Sequence, residues 1–399
     1  MSNPTANSAV LSPVAPLSIA SVLETLKENM AKRPRQCLFR VLTVSEEDLT
    51  PGTTATKELN PENLRGQSLL LWQELARTPE LYEPILTISL EPTCCRDRVK
   101  AHIEVHRKHD EKIICGRYLA HKEMQKSARK IVAALRNNPA LTLKLVIVHA
   151  GDKPDDASYR KELKTQAAKI GIVVDELQIA EHPTPVALRA ILQALNSDSS
   201  VSGVMVQTIR DKGIDAVVRE TLGDNKDPEC VNEHHSYDVL LAAPRTYIGA
   251  PSTALSCQAL IHDACPNLEG KHVVVINNSP VIGKPLAMLL TRHGATVTLC
   301  CKESGKTLMN AMTSQADIIV CATGVRGLVK KEFVKEGAIL IDVGINQIKT
   351  PEGRELIVGD FVIEDLLQKV SRYTEVPGGV GPLTTAFFLS NLVTQALSV

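Results

Sequence analysis

One loop near the end of the sequence is rich in glycine and proline. Residues 375–384, EVPGGVGPLT, hold three glycines and two prolines directly before an apolar stretch typical of a helix. Glycine lets the backbone approach a flat ligand closely, because it has no side chain. We therefore predict that Gly378 and Gly379 line a binding site, since a bare turn would need fewer glycines.

A second loop could bind an anion. The apolar strand VVVI ends at Ile276, a helix begins near Pro285, and Gly283 lies between them. Free backbone N–H groups at a helix start favour the pyrophosphate of a dinucleotide. The strict G-x-G-x-x-G pattern is absent, so the motif alone leaves a purely structural turn open. Its place, the first strand-to-helix turn of a second series of elements, favours a dinucleotide site.

Two further polar residues follow buried strands in the first half of the chain. Tyr159 is predicted on the first turns of a helix, after the strand and loop VIVHAGDKPDD. Gln207 ends the strand VSGVMVQ, at the edge where α/β sheets bind ligands. Both residues are candidates for a pocket wall, although a tyrosine half-buried only for packing is the simpler alternative.

The loop DNKDPECVNEHH places carboxylates beside two histidines. A metal site is conceivable there. However, His234 and His235 are adjacent in sequence and lack the spacing of two ligands to one ion. We predict no metal site.

The elements that must position these residues alternate between strand and helix from about residue 113 onwards. Such alternation predicts an α/β fold with parallel sheets. The strands of the second series are continuously apolar, which indicates burial on both faces in a doubly wound, nucleotide-binding sheet. Residues 1–111 form an N-terminal extension of unknown role, with a disordered arm of about 20 residues, helices near 23–32 and 64–76, and strands near 37–44 and 85–90.

Composition excludes several classes of function. Lys plus Arg and Asp plus Glu both number 45, aromatic residues make up 3%, and no apolar run approaches membrane-spanning length. We therefore expect no nucleic-acid or membrane partner. The ten cysteines include no C-x-x-C pair, which favours reduced thiols, and the first residues lack arginine. A cytoplasmic protein is expected, and a mitochondrial one fits less well.

Together these segments resemble the methylenetetrahydrofolate dehydrogenase/methenyltetrahydrofolate cyclohydrolase family. The likeness covers about residues 112–399. It rests on KIICGRYLA, GDKPDDASY, VMVQ, NKDPEC, NNSPVIGKPLAMLL, ATVTLCCKES, DVGIN and PGGVGPLT, in the family's order. The last two match the family pattern nearly letter for letter.

The resemblance implies a folate-binding α/β domain and a Rossmann-like NAD(P)-binding domain, with the substrate in the cleft between them. The folate domain would span residues 112–252 and be rejoined by a C-terminal helix at 384–399. The NAD(P) domain would span residues 253–383. A homodimer is also implied by the family.

The implied reaction is oxidation of 5,10-methylenetetrahydrofolate to 5,10-methenyltetrahydrofolate by hydride transfer to NAD(P). By resemblance, Tyr159 stacks on or bonds near the pterin, and Pro377, Gly378 and Gly379 flank it. Glu229 stands where the family has the aspartate that anchors the pterin N–H groups.

The family's second reaction, hydrolysis of the methenyl group, uses a lysine four residues after the tyrosine, paired with the glutamine. This sequence has Leu163 at that position. Lys164 is next to it and is the remaining candidate, but on a helix it lies about 140° round from Tyr159 unless a one-residue bulge intervenes. Leucine cannot perform acid–base chemistry, so we predict weak or lost cyclohydrolase activity.

The cofactor-binding residues implied by the resemblance include departures from the family. Asn277-Asn278-Ser279 replaces Gly-Arg-Ser, and the lost arginine would have contacted a 2′-phosphate. Lys302 could supply that charge instead, so NADP is favoured slightly over NAD. The full implied set is Asn277, Asn278, Ser279, Gly283, Lys302, Gly324, Ile345 and Thr384.

A second hypothesis is a family member that has kept the fold but lost turnover. Changes at Leu163, Asn277, Asn278 and Ala254 motivate it. Such a protein would bind folate or nucleotide, or act as a subunit partner.

Overall fold

The computed structural model describes residues 41–44, 82–90, 99–107, 112–151, 154–207, 212–235, 249–349, 353 and 355–398. The helices predicted near 23–32 and 64–76 lie outside the described residues. The backbone of the N-terminal ranges forms a three-stranded antiparallel sheet of order β1-β3-β2. Its strands are β1 (Val41–Val44), β2 (Tyr82–Leu90) and β3 (Val99–Arg107).

The smaller of the two parallel sheets has the order β6-β5-β7. Strand β4 (Ile113–Ile114) comes before this half in the chain. The elements of this half are α1 (Gly116–Asn137), β5 (Leu143–Ala150), α2 (Pro154–Lys169), β6 (Ile172–Ile179), α3 (Pro185–Ser197), β7 (Gly203–Gln207) and α4 (Lys212–Thr221). Local sequence fixes their ends. For example, the Thr184 hydroxyl accepts a hydrogen bond from the Ala187 N–H group and Pro185 begins α3, a combination typical of a helix start.

The larger sheet has six parallel strands in the order β4-β14-β11-β10-β8-β9. Its strands β10 and β11 are buried along their whole length, as the continuous apolar runs predict. The elements of this half are α5 (Ser252–Ala264), β8 (His272–Ile276), α6 (Gly283–Thr291), β9 (Thr296–Cys300), α7 (Gly305–Thr313), β10 (Ile318–Cys321), β11 (Ala338–Asp342), β12 (Asn346–Lys349), β13 (Glu355–Val358), α8 (Ile363–Leu366), β14 (Val370–Thr374) and α9 (Val380–Leu397). Strands β12 and β13 form a separate antiparallel pair.

The C-terminal helix α9 joins the two halves of the fold. It packs against α1 and α5, and its apolar residues share one core with β5 and β8. Strand β4 pairs with β14 in the larger sheet, although it precedes the elements of the smaller one. The domain boundaries 112–252, 253–383 and 384–399 stay predictions. No helix among the described residues is both long and apolar enough to span a membrane.

Candidate active site

Tyr159 lies on α2, facing the C-terminal helix. Its hydroxyl is hydrogen-bonded with Thr385 of α9, and the Glu229 carboxylate is close enough to act on it electrostatically. Burial, and then the negative charge of Glu229, raise the pKa of Tyr159 well above its usual value, against the opposite effect of the Thr385 hydrogen bond. The phenol therefore stays neutral at physiological pH, where it can pack against a ring or hydrogen-bond to it.

Glu229 lies in a loop that is fixed on both sides. Before it, the buried Lys226 ammonium donates hydrogen bonds to the backbone oxygens of Leu195 (3.0 Å) and Asp198 (2.5 Å) at the end of α3. Asp227 accepts from the N–H group of Val231, at 2.7 Å. Burial, and then the Asp227 carboxylate, raise the pKa of Glu229 to about 7.

Two polar residues of α9 hold the same loop from the other side. The amide nitrogen of Asn391 donates to the backbone oxygens of Pro228 and Ala250, both at 2.9 Å. Gln395 donates to the backbone oxygen of Asp227 at 2.8 Å. Sequence reasoning missed both residues, although two amide side chains four positions apart in a largely apolar helix were the available signal.

Gln207 has both ends of its side-chain amide in hydrogen bonds to α2. Its Oε1 accepts from Nη1 of Arg160 at 2.8 Å, and its Nε2 donates to the backbone oxygen of Asp156 at 3.0 Å. Arg160 is also bonded through Nε to Glu176 of β6, at 3.2 Å. Sequence reasoning did not single out Arg160.

The helix does not bring Lys164 to Tyr159. Residues 154–169 are α-helical throughout, with no bulge, and Leu163 is fully buried in the core that Tyr159 packs against. Lys164 is partly exposed and forms an ion pair with Glu176, whose pKa it lowers, chiefly through their hydrogen bond. The side chain of Lys164 therefore leaves the helix in a different direction from that of Tyr159, and a catalytic role for Lys164 stays a prediction.

The glycine-rich loop before α9 is packed closely on the start of α1. The Val376–Pro377 peptide bond is cis, and Gly378 has φ +123°, a conformation that favours glycine. The Gly378 oxygen accepts a hydrogen bond from the Arg117 N–H group at 3.2 Å. A Cβ built on Gly116 would stand 1.7 Å from the Gly379 oxygen, so the two backbones touch directly.

The turn between β8 and α6 is held by the side chain of Asn277. Its Oδ1 accepts from the N–H groups of Ser279 (2.8 Å) and Gly283 (3.1 Å), and its Nδ2 donates to the Ala322 oxygen (2.8 Å). Asn277 thus shapes the turn itself, and Oγ of Ser279 accepts a further hydrogen bond from the Ile282 N–H group (3.1 Å).

A buried carboxylate pair connects the loops at the carboxyl ends of β10 and β11. Asp342 accepts from the N–H groups of Gly344 (3.0 Å), Asp360 (2.9 Å) and Phe361 (2.9 Å). Burial, opposed by these hydrogen bonds, raises the pKa of Asp342 to about 6, and the charge of Asp360 adds to it. Sequence reasoning missed this pair. The available signal was an aspartate one or two positions from a glycine in each of the short segments DVG (342–344) and VGD (358–360).

Asp360 extends that network to the loop after β10. Its Oδ2 accepts from the N–H (2.7 Å) and hydroxyl (2.8 Å) of Thr323 and from the N–H of Gly324 (3.1 Å). Burial opposes ionisation of Asp360, but bonds from Thr323 and Asn346 outweigh it and lower its pKa. Three loops are thereby fixed at one edge of the larger sheet.

The remaining predicted cofactor residues lie in or near these loops. Asn278 and Lys302 are exposed, and Ile345 is exposed to 71%. Gly324 has φ +67°, and no atom stands within 4 Å of a Cβ built on it, so space is open beside the loop. The Thr384 hydroxyl is used inside α9, where it donates to the Val380 oxygen at 3.1 Å.

The two histidines of the Glu229 loop bind separate carboxylates. His234 contacts Asp224 at 3.0 Å, and the buried His235 contacts Asp227 at 3.2 Å. Over the described part of the chain, no three His, Cys, Asp or Glu side chains converge on a point where a metal ion could bind.

Comparison with known proteins gives two family matches in sequence. Residues 114–229 match the tetrahydrofolate dehydrogenase/cyclohydrolase catalytic domain, and residues 251–398 match the NAD(P)-binding domain of the same name. A curated relative, the bifunctional protein FolD of a Bradyrhizobium strain, is 33% identical over 289 residues. That alignment covers 72% of this chain and 96% of the relative.

Solved structures give the same result. The bifunctional FolD enzyme of Campylobacter jejuni is 31% identical, with a TM-score of 0.64 over 72% of this chain and 98% of that one. The Trypanosoma brucei dehydrogenase-cyclohydrolase, solved with NADP cofactor and inhibitor, is 26% identical. Its TM-score is 0.67 over 73% of this chain and 99% of that one.

Proposed function

The chain belongs to the tetrahydrofolate dehydrogenase/cyclohydrolase family, and on that premise we propose a methylenetetrahydrofolate dehydrogenase in which methenyl hydrolysis is weak or lost. The proposed loss of hydrolysis rests on Leu163, an apolar and fully buried residue where the family's hydrolytic step needs a lysine. The proposed dehydrogenase activity rests on the family membership and on the intact loops around Tyr159 and Gly378.

The folate is held mainly by Glu229 and Tyr159. Ionised Glu229 accepts hydrogen bonds from the N–H groups of the pterin, and the neutral Tyr159 phenol packs against the folate rings. Pro377, Gly378 and Gly379 cover the other side, and the two glycines present backbone alone, which lets two flat ligands approach. Hydride transfer needs the methylene carbon and the nicotinamide in contact at the right angle, so holding them there supplies most of the catalysis.

NAD(P) accepts the hydride when bound. The residues present fit such a group: the N-terminus of α6, the positive end of its dipole, lies at Gly283, where the first N–H groups are bonded within the turn, and open space lies beside Gly324 at the carboxyl end of β10. Asn277 and Ser279 shape the turn from within, and the Asp342–Asp360 network fixes the facing loops. We propose NADP as the preferred cofactor, with Lys302 meeting its 2′-phosphate and NAD accepted less well.

Loss of hydrolysis follows from the leucine at position 163, where the family has a lysine that works with Gln207. Attack of water on the methenyl carbon needs a group that accepts its proton. Leu163 has no such group, and Lys164 lies on another face of α2, where it is paired with Glu176 of β6.

We also propose a cytoplasmic homodimer, an assembly that analytical ultracentrifugation would test.

The direct experiment measures both reactions of the purified protein. Formation of reduced nicotinamide from methylenetetrahydrofolate is followed with NADP and with NAD, and loss of methenyltetrahydrofolate absorbance is corrected for spontaneous hydrolysis. We expect dehydrogenase turnover and hydrolysis close to the uncatalysed rate. No reduced nicotinamide with either cofactor would overturn the dehydrogenase, and rapid hydrolysis would overturn the role given to Leu163. Folate binding without turnover would support the non-catalytic hypothesis instead.

A further inference from the structure

Four side chains of α2 fan out in a fixed order around the helix axis. With Tyr159 as the reference, Leu163 lies about 40° round, Arg160 about 100° and Lys164 about 140°. Arg160 is therefore the first basic group beyond the leucine, on the side that leads from Tyr159 towards Glu176.

Arg160 reaches Gln207 from that position and is held firmly. Its side chain is only 5% exposed, and it binds Gln207 with Nη1 and Glu176 with Nε. Glu176 in turn contacts His149 at 3.3 Å and pairs with Lys164. The guanidinium is thus fixed between the end of β7 and the edge strand β6.

We propose that Arg160 is the positioning residue for Gln207: it has taken over the cationic partnership that the family gives to a lysine at the position of Leu163. The hydrogen bond from Arg160 directs Oε1 of Gln207 away from Asp156. The backbone oxygen of Asp156 accepts a hydrogen bond from Nε2 on the other side of the amide. A flipped amide would place two donors together at Arg160 and two acceptors together at Asp156, so the orientation is set. This inference rests on the proposed function, because Gln207 is taken as part of the folate site.

The use of an arginine at position 160, in place of the family's lysine at position 163, also explains how the protein keeps dehydrogenase activity without methenyl hydrolysis. A guanidinium keeps its proton in proteins, so Arg160 can orient Gln207 but cannot accept a proton from water. It also takes one of the two acceptor positions of the Gln207 oxygen and fixes the direction of that amide, so a lysine at position 163 would have to share the oxygen with the guanidinium. Restoring that lysine alone is therefore not expected to restore hydrolysis.

A purely structural role predicts something different. If Arg160 only ties α2 to β6 through Glu176, its loss should lower stability without acting through Gln207. A double-mutant cycle separates the two roles, because residues that act through one another give non-additive effects.

The cycle uses Arg160→Met, Gln207→Met and the double variant, with kcat and KM for methylenetetrahydrofolate measured at saturating NADP. We expect each single change to lower kcat/KM by about tenfold or more, as loss of a buried bond to a charged group implies. The double variant should lose no more than Gln207→Met alone. Arg160→Lys, which keeps the charge but not the two-sided donor geometry, should fall between wild type and Arg160→Met. Lys161→Met, an exposed change one residue along α2, is the matched control.

Multiplying losses in the double variant, or an unchanged kcat and KM in Arg160→Met, would overturn the proposal. Thermal unfolding of every variant identifies any loss caused by misfolding, and the intermediate activity expected of Arg160→Lys keeps the test valid if Arg160→Met is unstable. A wild-type protein without dehydrogenase turnover would refute the proposed function and not this inference specifically.

A second set of variants tests the consequence for hydrolysis. Leu163→Lys alone should leave methenyl hydrolysis near the uncatalysed rate, because Arg160 still holds Gln207. Leu163→Lys combined with Arg160→Met should raise it by about tenfold or more, the range of general acid–base catalysis at its low end. Equal gains in the single and the double variant would show that Arg160 does not block the site.

Discussion

The carboxylate of Asp360 occupies the space in which a side chain on Gly344 would begin. A Cβ built on Gly344 would stand 2.0 Å from Oδ1 of Asp360. Asp342 packs against a glycine in the same way, because a Cβ built on Gly359 would stand 2.0 Å from Oδ2 of Asp342. Each carboxylate therefore sits over the glycine near its partner, and the loops at this edge of the larger sheet pack backbone against carboxylate.

Replacing Gly344 by alanine should therefore disturb the cofactor site. The added methyl group must push Asp360 away from the Thr323 and Gly324 N–H groups, and overpacking of this kind costs about 1 to 3 kcal/mol. We expect a lower free energy of unfolding in urea and weaker NADP binding by calorimetry. Gly381→Ala is the matched control: nothing lies within 4 Å of its Cβ position, and alanine in helix α9 should leave stability unchanged or raise it. Wild-type stability and affinity in Gly344→Ala would contradict the close packing.

Folate binding should depend on pH through Glu229. Its pKa of about 7 in the folded protein means that the anchoring carboxylate becomes ionised as the pH rises through neutrality. KM for methylenetetrahydrofolate should fall between about pH 6 and pH 8, and Glu229→Gln should have a high KM that no longer follows this change. Glu233→Gln, an exposed change in the same loop, should keep the wild-type profile.

The same carboxyl group should lower stability at high pH. The folded pKa lies above the ordinary value of 4.5, so the folded state holds the proton more tightly than the unfolded state. Its contribution favours folding below pH 4.5 and is lost as the pH rises from 4.5 to about 7. Urea denaturation should show wild type losing stability over this window relative to Glu229→Gln; a constant difference would contradict the raised pKa.

Cofactor preference should depend on Lys302. Because that side chain is exposed, Lys302→Ala should weaken NADP binding by only about fivefold and leave NAD binding unchanged. Asn278→Arg, which restores the family residue at an exposed position, should shift the preference further towards NADP. Lys306→Ala on the following helix is the charge-matched control. Equal losses for NADP and NAD in Lys302→Ala would show that the lysine does not meet the 2′-phosphate.

The loop carrying Glu229 should depend on Asn391. Asn391→Leu removes the donors to the backbone oxygens of Pro228 and Ala250, and leaving buried carbonyls unpaired costs about 1 to 3 kcal/mol. We expect reduced stability and a KM for folate that rises more than the KM for NADP. Ser398→Ala at the exposed end of the same helix should change neither. A KM that rises equally for both substrates would indicate a general loss of structure.

The sequence predicted much of the fold because its signals are local. Continuous apolar runs indicate strands buried on both faces, and amphipathic or apolar stretches of helical length indicate the helices between them. The same holds for the direction of Leu163 and Lys164. Successive residues of a helix turn by a fixed angle, so the separation of Lys164 from Tyr159 followed from numbering alone once α2 was known to be regular.

The partners of the site residues could not be predicted in the same way. Gln207 is bound by Arg160, 47 positions earlier in the chain, and Tyr159 by Thr385 of the C-terminal helix. The sequence determined which residues could do chemistry, where the helices and strands lie, and that the family's lysine is leucine here. Only the tertiary structure decided that Arg160 holds Gln207 and that α9 supports the Glu229 loop. Those bonds depend on how α2, β7 and α9 pack in space, and the burial that makes them strong exists only after packing.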